Sequence, residues 1–331
     1  SSLTTVYRLS TAPAVSVGFG GEETNHENWV KRHVLRGHDL DVVSVAWSPS
    51  ERTVVTASLD SRSPLCVWDL SPGAPTVLSP SRTLGRAEHP CGCKGVAFDP
   101  TGSYFASTCD TPSLAVWSSL TMSPCAEAKD CFTGTQDLTM FRRLDWSPDG
   151  STVSCTNCVV AGRSCATILG REGLRTLANL VGHKSAVCAS RYSPDMFDFG
   201  AGQYGVYLAS ADKRGFVTVW SNKESRPVFK LQASARKLAV TDLSWKSDVL
   251  AISCLDGSVA CVKFDLPDRL GPEARRKVFK DKYGSAGGVR NIDAMRMRAK
   301  EPKADESPVL PQKAAVVPSP VKNHEDVLRL Q

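Results

Sequence analysis

The sequence has no apolar run near the roughly 20 residues that a membrane-spanning helix requires. It also has no carboxylate pair, phosphate-binding loop or nucleophile elbow within a motif that accompanies a common catalytic chemistry. Its 12 cysteines in 331 residues are too sparse for a disulfide scaffold. These absences favour a soluble binding platform in a reducing compartment.

What the sequence does contain is a repeated unit. An aromatic residue ends a similar apolar stretch at intervals of 46 to 53 residues, and short β-rich runs separated by turn residues surround each one. The five aromatic residues are Trp47, Phe98, Trp146, Tyr192 and Trp245. Self-similarity at a fixed period is the signature of a repeat protein.

A polar pattern accompanies the first and fourth of these units, in which a Gly-His pair, a Ser-x-Asp segment and a tryptophan follow one another. The residues are His38, Ser58, Asp60 and Trp68 in the first unit and His183, Ser210, Asp212 and Trp220 in the fourth. Serine, histidine and aspartate are also the members of a nucleophilic triad. We favour a structural network, because a catalytic site is rarely duplicated in successive repeats, whereas a scaffold interaction must be.

The pattern resembles the WD repeat, in which each unit supplies one four-stranded blade of an all-β propeller. The resemblance implies that the histidine, the hydroxyl, the aspartate and the tryptophan of a blade are joined by hydrogen bonds. Such propellers usually have about seven blades, whereas this chain accounts for about five full blades and a partial one. We therefore expect the amino-terminal blades to be missing from this fragment. The expected segments are 1–9 as the last strand of a preceding blade, 10–36 as an inter-blade linker and 37–266 as the WD-repeat blades.

The remaining segment, residues 267–331, differs in charge. Lys and Arg outnumber Asp and Glu by 13 to 8 over residues 271–331, compared with 27 to 26 over residues 1–270. The segment contains several prolines, few aromatic residues and no sustained period, so we predict a disordered basic tail. Within it, Arg275, Arg276 and Lys277 are candidate nuclear-import or nucleic-acid contacts, and a solvated linker is the alternative.

Two cysteine groups have part of the spacing of a zinc site. They are Cys155 and Cys158 followed by Cys165, and Cys91 and Cys93 beside His89. No second pair with matching spacing follows either group, so we predict ordinary thiols, with no metal and no cofactor.

Residues 200–205 match the glycine pattern of dinucleotide-binding proteins. That pattern binds a pyrophosphate only where it follows a strand and opens a helix. Here it lies in an insertion between two predicted strands, so we predict a loop.

Several segments resemble one branch of the WD-repeat proteins, the HIRA-type histone chaperone subunits, which are called histone regulator proteins in fungi. The segments are residues 6–8, 35–38, 142–150, 166–169, 171–173, 181–187, 242–245, 256–260 and 283–284. The middle WD-repeat subunit of chromatin assembly factor is similar in plan, and residues 27–29 and 141–144 resemble it more closely. The segments at 171–173 and 182–184 favour the HIRA type.

The resemblance implies a non-catalytic scaffold subunit that acts in the nucleus, in replication-independent nucleosome assembly and in transcriptional regulation, including repression. The implied partners are a ubinuclein-like subunit held by the propeller, the antisilencing-function histone chaperone and core histones. Chromatin would be contacted indirectly, and neither a membrane nor a small-molecule substrate is implied. The arginine-rich segment with which the family recruits the antisilencing-function chaperone is not found in this sequence.

Two alternatives remain at this stage. One is the middle subunit of the replication-coupled chromatin assembly factor. The other is a WD-repeat adaptor of another class, such as a ubiquitin-ligase substrate receptor, which would use the same propeller with different surface loops.

Overall fold

The computed structural model describes residues 1–10, 27–85, 91–135, 139 and 141–284, most of which lie in strands and short turns. The strands of the amino-terminal part are β1 (Leu3–Leu9), β2 (Trp29–Arg36), β3 (Val42–Trp47), β4 (Thr53–Ser58), β5 (Leu65–Asp69), β6 (Val77–Leu78), β7 (Arg82–Leu84), β8 (Cys93–Phe98), β9 (Tyr104–Cys109), β10 (Leu114–Ser118) and β11 (Pro124–Ala128). Those of the carboxy-terminal part are β12 (Asp145–Trp146), β13 (Thr152–Val160), β14 (Arg163–Gly170), β15 (Thr176–Val181), β16 (Val187–Tyr192), β17 (Phe197–Asp198), β18 (Tyr204–Gly205), β19 (Tyr207–Asp212), β20 (Phe216–Ser221), β21 (Phe229–Gln232), β22 (Val240–Lys246), β23 (Val249–Cys254) and β24 (Val259–Lys263). A short 3₁₀ helix (Asp130–Phe132) precedes β12, and the helix α1 (Pro272–Tyr283) follows β24.

Successive antiparallel sheets confirm the predicted all-β propeller. Four sheets have four strands each, in the orders β3-β4-β5-β7, β8-β9-β10-β11, β12-β13-β14-β15 and β16-β19-β20-β21. We call them the first to fourth blades. The fifth blade consists of β22, β23 and β24, so among the described residues it has three strands where the prediction had a full blade. After β24 the chain runs back toward the fourth blade, where Leu270 N donates a hydrogen bond to Met196 O at 2.8 Å.

A separate three-stranded sheet lies before the first blade. In it β1 pairs with β2 in antiparallel fashion, and β2 pairs with β6 in parallel. The prediction of a linker over residues 10–36 therefore does not hold for residues 29–36, whereas the strand predicted within residues 1–9 is present at the edge of this sheet. The strand β2 escaped prediction because only its end alternates between buried and more exposed residues, with His33 and Leu35 buried. Residues 11–26 of the predicted linker lie outside the described residues.

A polar side chain directly after the aromatic residue holds the turn between the first two strands of a blade. Its oxygen accepts a hydrogen bond from the backbone amide five residues later, so the same turn forms each time. This is the local reason why an aromatic residue, a serine or aspartate and a proline recur together. The acceptor and donor pairs are Ser48 with Thr53 (3.1 Å), Asp99 with Tyr104 (2.9 Å) and Ser147 with Thr152 (3.0 Å).

The hydrophobic core lies between the blades. One cluster joins Val55 and Leu65 of the first blade to Phe105 and Trp117 of the second, whose rings stack at 6.1 Å. Similar clusters join the second blade to the third and the fourth to the fifth. Each blade thus buries its faces against its neighbours, which is why one repeat cannot form a stable core alone.

The helix α1 packs against the third and fourth blades. It starts at Pro272 and ends before Gly284, whose φ of 70° suits a glycine at a helix end. Phe279 is buried in a cluster with Tyr192 and Met196. The prediction of a disordered tail is therefore wrong for residues 272–283. The helix escaped prediction because it buries only two of its 12 residues, which leaves little hydrophobic periodicity in the sequence. Residues 285–331 of that tail lie outside the described residues.

Within the described part of the chain, no helix combines the length and the apolar character needed to cross a membrane.

Candidate functional site

A hydrogen-bonded network in the fourth blade contains all four residues predicted there. The Nε2 atom of His183 lies 2.9 Å from Ser210 Oγ, and its Nδ1 atom lies 3.2 Å from Asp212 Oδ2. The indole of Trp220 donates to Thr218 Oγ1 at 2.9 Å, and that hydroxyl lies 2.8 Å from Ser210 Oγ. The sequence analysis missed Thr218, which links the tryptophan to the other three residues.

The network of the first blade uses a different hydroxyl from the predicted one. Thr56 Oγ1 lies 2.6 Å from His38 Nε2 and accepts a hydrogen bond from the indole of Trp68 at 2.9 Å. Ser58 Oγ instead donates to a backbone carbonyl at 3.1 Å and accepts from the amide of Asp60 at 3.1 Å. The predicted role of Ser58 is therefore corrected to Thr56.

The strand register explains the correction. In both blades the bridging hydroxyl, Thr56 or Ser210, comes two residues after the residue that pairs with the tryptophan. The serine of the Ser-x-Asp motif comes four residues after the tryptophan's partner in the first blade (Ser58) and two residues after it in the fourth (Ser210). The motif alone does not reveal this difference. The pairs that define the register are Val54 with Trp68 and Leu208 with Trp220.

Asp60 organises the turn before β5, and its carboxylate makes its hydrogen bonds within the described residues to groups of that turn and to Asp39, not to His38. Its carboxylate accepts from Ser63 Oγ at 2.7 Å and from the amides of Arg62 and Asp39 at 2.8 and 3.1 Å. Burial raises the pKa of Asp60, but these hydrogen bonds outweigh burial and lower its pKa. Burial lowers the pKa of His38, so a neutral imidazole and an ionised carboxylate suit this structural cluster.

The second blade has an equivalent contact, in which the indole of Trp117 donates to Ser107 Oγ at 2.8 Å. His89, the histidine that precedes this blade in the sequence, lies outside the described residues. The hydroxyl of Ser107 again comes two residues after the partner of the tryptophan, Phe105. A hydroxyl residue therefore occupies the same register position in three blades, and in the fourth the tryptophan reaches it through Thr218.

The five aromatic residues of the repeats meet at one end of a central channel. Together with the turns that follow them, they line a cavity of about 530 Å³, which we call the channel mouth. Each blade contributes one segment, and Arg275 of α1 adds to the lining. The segments are residues 47–49, 98–100, 145–148, 191–194 and 242–245.

Charged side chains lie at the base of the channel mouth. The Arg191 guanidinium is 3.3 Å from Asp242 Oδ1 and 3.9 Å from Asp145 Oδ1. Burial raises the pKa of Asp145, although Arg191 opposes this effect. Arg191 and Asp242 also line a second cavity of about 320 Å³, together with Arg143, whose Nε donates to Thr241 O at 2.9 Å. The channel therefore continues inward along a charged path.

The channel mouth combines the exposed ring of Trp47 and the partly exposed ring of Phe98 with these charges, while the other three aromatic residues are buried. Trp47 is 45% exposed and the side chain of Asp242 is 44% exposed, so both are accessible to a ligand. A concave surface with apolar walls and a few oriented polar groups is suited to binding, because the walls bury side chains and the polar groups set their direction. The geometry of the channel mouth is therefore suited to binding.

A carboxylate of the third blade holds α1 beside the channel mouth. Lys282 Nζ donates to Asp149 Oδ2 at 2.5 Å, and Tyr283 donates its hydroxyl hydrogen to the Asp149 carbonyl oxygen at 2.9 Å. Burial raises the pKa of Asp149, but the Lys282 ammonium, together with hydrogen bonds from Ser147 and Ser151, lowers it to about 2. The ionised carboxylate is thus the stable form in the folded chain.

Arg171 extends this contact to the second blade. Its Nη1 atom is 2.6 Å from Asp99 Oδ2, and its guanidinium lies 4.9 Å from the ring centroids of both Tyr104 and Tyr283. The side chain of Asp99 is fully buried. Two segments that carry the family resemblance, residues 171–173 and 283–284, are therefore in contact in the structure.

The predicted basic cluster of α1 is divided by the helix. Arg275 is 5% exposed, and its Nη1 atom is 3.6 Å from Asp195 Oδ1. Its predicted role as a surface contact is corrected, because the helix turns Arg275 inward on the same face as Phe279, four residues later. Arg276 and Lys277 are exposed.

The remaining candidates of the sequence analysis lie away from the channel mouth. The glycine pattern at residues 200–205 lies at the tip and returning strand of the β17–β18 hairpin. It is followed by a strand and not by a helix, which agrees with the predicted loop and not with a dinucleotide site. The sulfurs of Cys155 and Cys158 lie within 4.8 Å of a third, Cys131, which the sequence spacing did not reveal. Cys93 is buried at the start of β8, and Cys91 Sγ is 3.1 Å from Thr111 Oγ1.

Comparison with known proteins agrees with the repeat pattern. The family model described as WD domain, G-beta repeat, matches residues 29–62 and 78–118. These ranges contain β2 to β4 and β7 to β10, which are strands of the initial sheet and of the first two blades.

Similarity to individual proteins covers more of the chain. Protein HIR1 of Gibberella zeae is 30% identical over 91% of this chain and 31% of its own length. Protein hir1 of Schizosaccharomyces pombe is 30% identical, and protein hir-1 of Neurospora crassa 32% identical, over 78% of this chain and 27% of their own lengths. The chain thus spans less than a third of each of these relatives.

WD-repeat proteins of the HIR type are scaffolds and not enzymes, and the propeller described above is accordingly a scaffold. The blade architecture, the matched WD repeats and the similarity over most of the sequence show that this chain belongs to the HIRA-type WD-repeat proteins.

Proposed function

We propose that the chain is a scaffold subunit of a nuclear histone chaperone complex that assembles nucleosomes independently of replication and regulates transcription, including repression. The observation that carries the proposal is the 29–32% identity to HIR1 proteins, which extends through the blades. The chain performs no chemistry in this role. It holds other subunits in a fixed arrangement.

The proposed partners are a ubinuclein-like subunit, the antisilencing-function histone chaperone and core histones, with chromatin contacted through them. We assign the ubinuclein-like subunit to the propeller. The family uses an arginine-rich segment for the antisilencing-function chaperone, and residues 1–331 contain no match to it. We therefore propose that the antisilencing-function chaperone binds the complex at a site other than the blades.

We further propose that an extended segment of the ubinuclein-like subunit occupies the channel mouth. The exposed Trp47 ring offers an apolar contact, and Asp242 and Arg191 at its base offer charges of both signs. Aromatic residues in concave, partly desolvated sites contribute a large share of binding free energy in protein interfaces.

Affinity purification of the tagged chain from nuclear extract, followed by mass spectrometry, tests the proposed complex. We expect recovery of a ubinuclein-like subunit together with core histones. Recovery of the large subunit of chromatin assembly factor would instead support the replication-coupled alternative, which the resemblance of residues 27–29 and 141–144 favours. Recovery of ubiquitin-ligase subunits without histones would contradict both histone chaperone assignments.

A pair of tryptophan substitutions tests the channel mouth. We expect Trp47→Ala to weaken binding of the ubinuclein-like subunit by more than about tenfold, since loss of a central aromatic residue costs about 2 kcal/mol or more. Trp29→Ala is the matched control, because Trp29 is 56% exposed on β2 and does not line the channel mouth. Equal binding by both variants would place the partner elsewhere on the propeller.

A further inference from the structure

Three buried sulfur atoms meet inside the third blade, in a position that the proposed scaffold function does not use. Cys155 Sγ lies 3.7 Å from Cys131 Sγ and 3.3 Å from Cys158 Sγ, and all three sulfurs lie within 4.8 Å of one another. Each of the three residues is at most 8% exposed. The surrounding cluster is otherwise apolar and includes Leu114 and Val153.

A β-bulge brings two of these sulfurs to the same side of the sheet. In a regular strand, residues 155 and 158 would point to opposite faces, because side chains alternate. Here Cys155 pairs with Thr167 and Cys158 pairs with Cys165, so three steps on β13 face two on β14. Asn157, with a φ of 60°, lies in the extra step. The bulge reverses the alternation, as such insertions do.

The third sulfur comes from a separate segment that is tied to the bulge. Cys131 lies in the 3₁₀ helix between the second and third blades, next to the buried Phe132. Thr135, just after that helix, donates its hydroxyl hydrogen to Asn157 O at 3.1 Å. The fold therefore holds the Cys131 segment against the bulge through contacts that do not involve sulfur.

The distances match a tetrahedral zinc site. A zinc–sulfur bond of about 2.3 Å places two thiolate ligands about 3.8 Å apart at the tetrahedral angle. The Cys131–Cys155 distance of 3.7 Å agrees with this value, whereas the Cys155–Cys158 distance of 3.3 Å is shorter, so an ion would move these two sulfurs slightly apart. A disulfide requires about 2.05 Å between sulfurs and joins only two of them, so it leaves the third sulfur unexplained.

A fourth sulfur lies on the same face. Cys165 is the direct cross-strand partner of Cys158, and such partners have Cβ atoms about 5 Å apart on one side of a sheet. Cys165 is fully buried, and its Sγ is 3.8 Å from Thr167 Oγ1. Its sulfur is not among the three that lie within 4.8 Å of one another, so a fourth bond to the ion would require a different Cys165 rotamer.

A buried cation near the cluster favours a site of negative charge. Arg142 is 1% exposed, and its Nε has no hydrogen-bond partner within the described part of the chain. Burial lowers the pKa of Arg142, while the charge of Asp110 opposes that effect. A zinc ion with four thiolates would carry two negative charges, for which a buried guanidinium is a suitable counter-charge.

We propose that Cys131, Cys155 and Cys158 bind a zinc ion within the third blade, with Cys165 as the fourth ligand. The sequence predicted ordinary thiols here because no second pair with matching spacing follows Cys155 and Cys158. The third sulfur belongs to Cys131, which lies 24 residues before Cys155. The ion joins the segment after the second blade to the two central strands of the third. Its role is structural, since four protein ligands leave no open position.

Metal analysis of the purified chain tests the site. The chain is expressed in zinc-containing medium, purified with a thiol reductant and desalted, and its zinc is measured by mass spectrometry. We expect about one zinc ion per chain. Replacement by cobalt should give the intense visible and near-ultraviolet bands of a tetrahedral thiolate complex.

Serine substitutions assign the ligands. Cys131→Ser, Cys158→Ser and Cys165→Ser should each weaken zinc binding by at least about tenfold, because loss of even an outer partner of a ligand costs about 10- to 100-fold. Cys254→Ser is the matched control, since Cys254 is buried in the fifth blade. Unchanged zinc in Cys165→Ser would remove that residue from the ligand set and leave a three-cysteine site.

A measurement on the unaltered chain remains informative even if the variants fold poorly. We expect a high-affinity zinc chelator to lower the Tm and added zinc to restore it, because an ion that binds the folded state stabilises it. A zinc-free chain with a chelator-insensitive Tm would overturn the proposal. So would zinc retained equally in all three ligand variants, or a Cys155–Cys158 disulfide in the reduced preparation.

Discussion

Lys282 donates a hydrogen bond to Asp149, which lies 133 residues earlier in the chain. The contact joins the end of α1 to the turn between the first two strands of the third blade. The same carboxylate accepts hydrogen bonds from Ser147 and Ser151, which shape that turn, and from the Tyr204 hydroxyl at 2.8 Å. The helix, the repeat turn and the insertion of the fourth blade therefore depend on one buried anion.

Removal of this carboxylate should strongly destabilise the chain. We expect Asp149→Ala to lower the free energy of unfolding by about 3 kcal/mol, because it leaves buried donors without their acceptor. Urea denaturation measures the loss, and limited proteolysis after Arg276 and Lys277 should accelerate as α1 detaches. Asp248→Ala is the matched control, since it breaks an exposed pair with Lys263 and should cost less than about 1 kcal/mol. Equal losses in the two variants would contradict the assigned role of Asp149.

Stability should also depend on pH through the same group. The pKa of Asp149 in the folded chain is about 2, below its usual value of 3.8. Its ionised form therefore contributes stability that is fully present above about pH 4 and is lost as the pH falls through about 2. The contribution is about 2 kcal/mol. Urea denaturation over this pH range should show a steeper loss for the unaltered chain than for Asp149→Asn, and parallel curves would refute the assignment.

The position of the bridging hydroxyl in the first blade can be tested by substitution. Thr56→Val should cost about 2 kcal/mol, because His38 and Trp68 each lose a buried hydrogen-bond partner. Thr56→Ser keeps the hydroxyl and should restore most of the stability. The nuclear magnetic resonance signal of the Trp68 indole N–H should shift in Thr56→Val and stay in place in Ser58→Ala. A shift only in the Ser58 variant would support the original assignment from sequence.

The guanidinium of Arg171 should not be replaceable by an ammonium group. Arg171→Lys keeps the charge but loses the planar group that reaches Asp99, Thr101 and the ring of Tyr283. We expect a loss of about 2 kcal/mol in the free energy of unfolding, since a fully buried carboxylate is left poorly paired. Arg175→Lys, at an exposed position on the same blade, is the control and should be near neutral. Similar Tm values for both variants would contradict the prediction.

The general fold could be predicted because its signals are local. The aromatic residue, the serine or aspartate and the proline recur because Ser48, Asp99 and Ser147 each close the same turn, and this requires only residues five apart. The second strand of the initial sheet escaped prediction for the opposite reason. Its inner end buries His33 and Leu35, but the rest of β2 is exposed and carries no alternation.

The residues of the two blade networks show the same contrast between local sequence signals and contacts that depend on strand pairing. The sequence identified His183, Ser210, Asp212 and Trp220 as one group, and the structure brings them together in one blade. The same motif led to Ser58 in the first blade, where the strand register places Thr56. A motif reports which residue types are present, whereas register depends on pairing with another strand.

The sequence by itself determined the repeat period, the turn chemistry and the resemblance to the HIRA-type branch, since all three reside in residues that are close along the chain. Only the tertiary structure decided that the five aromatic residues surround one channel mouth, that Arg275 points inward and that Cys131 meets Cys155. These features arise where blades and α1 pack together. Packing brings distant residues into contact through burial of apolar surface, which leaves no fixed spacing in the sequence.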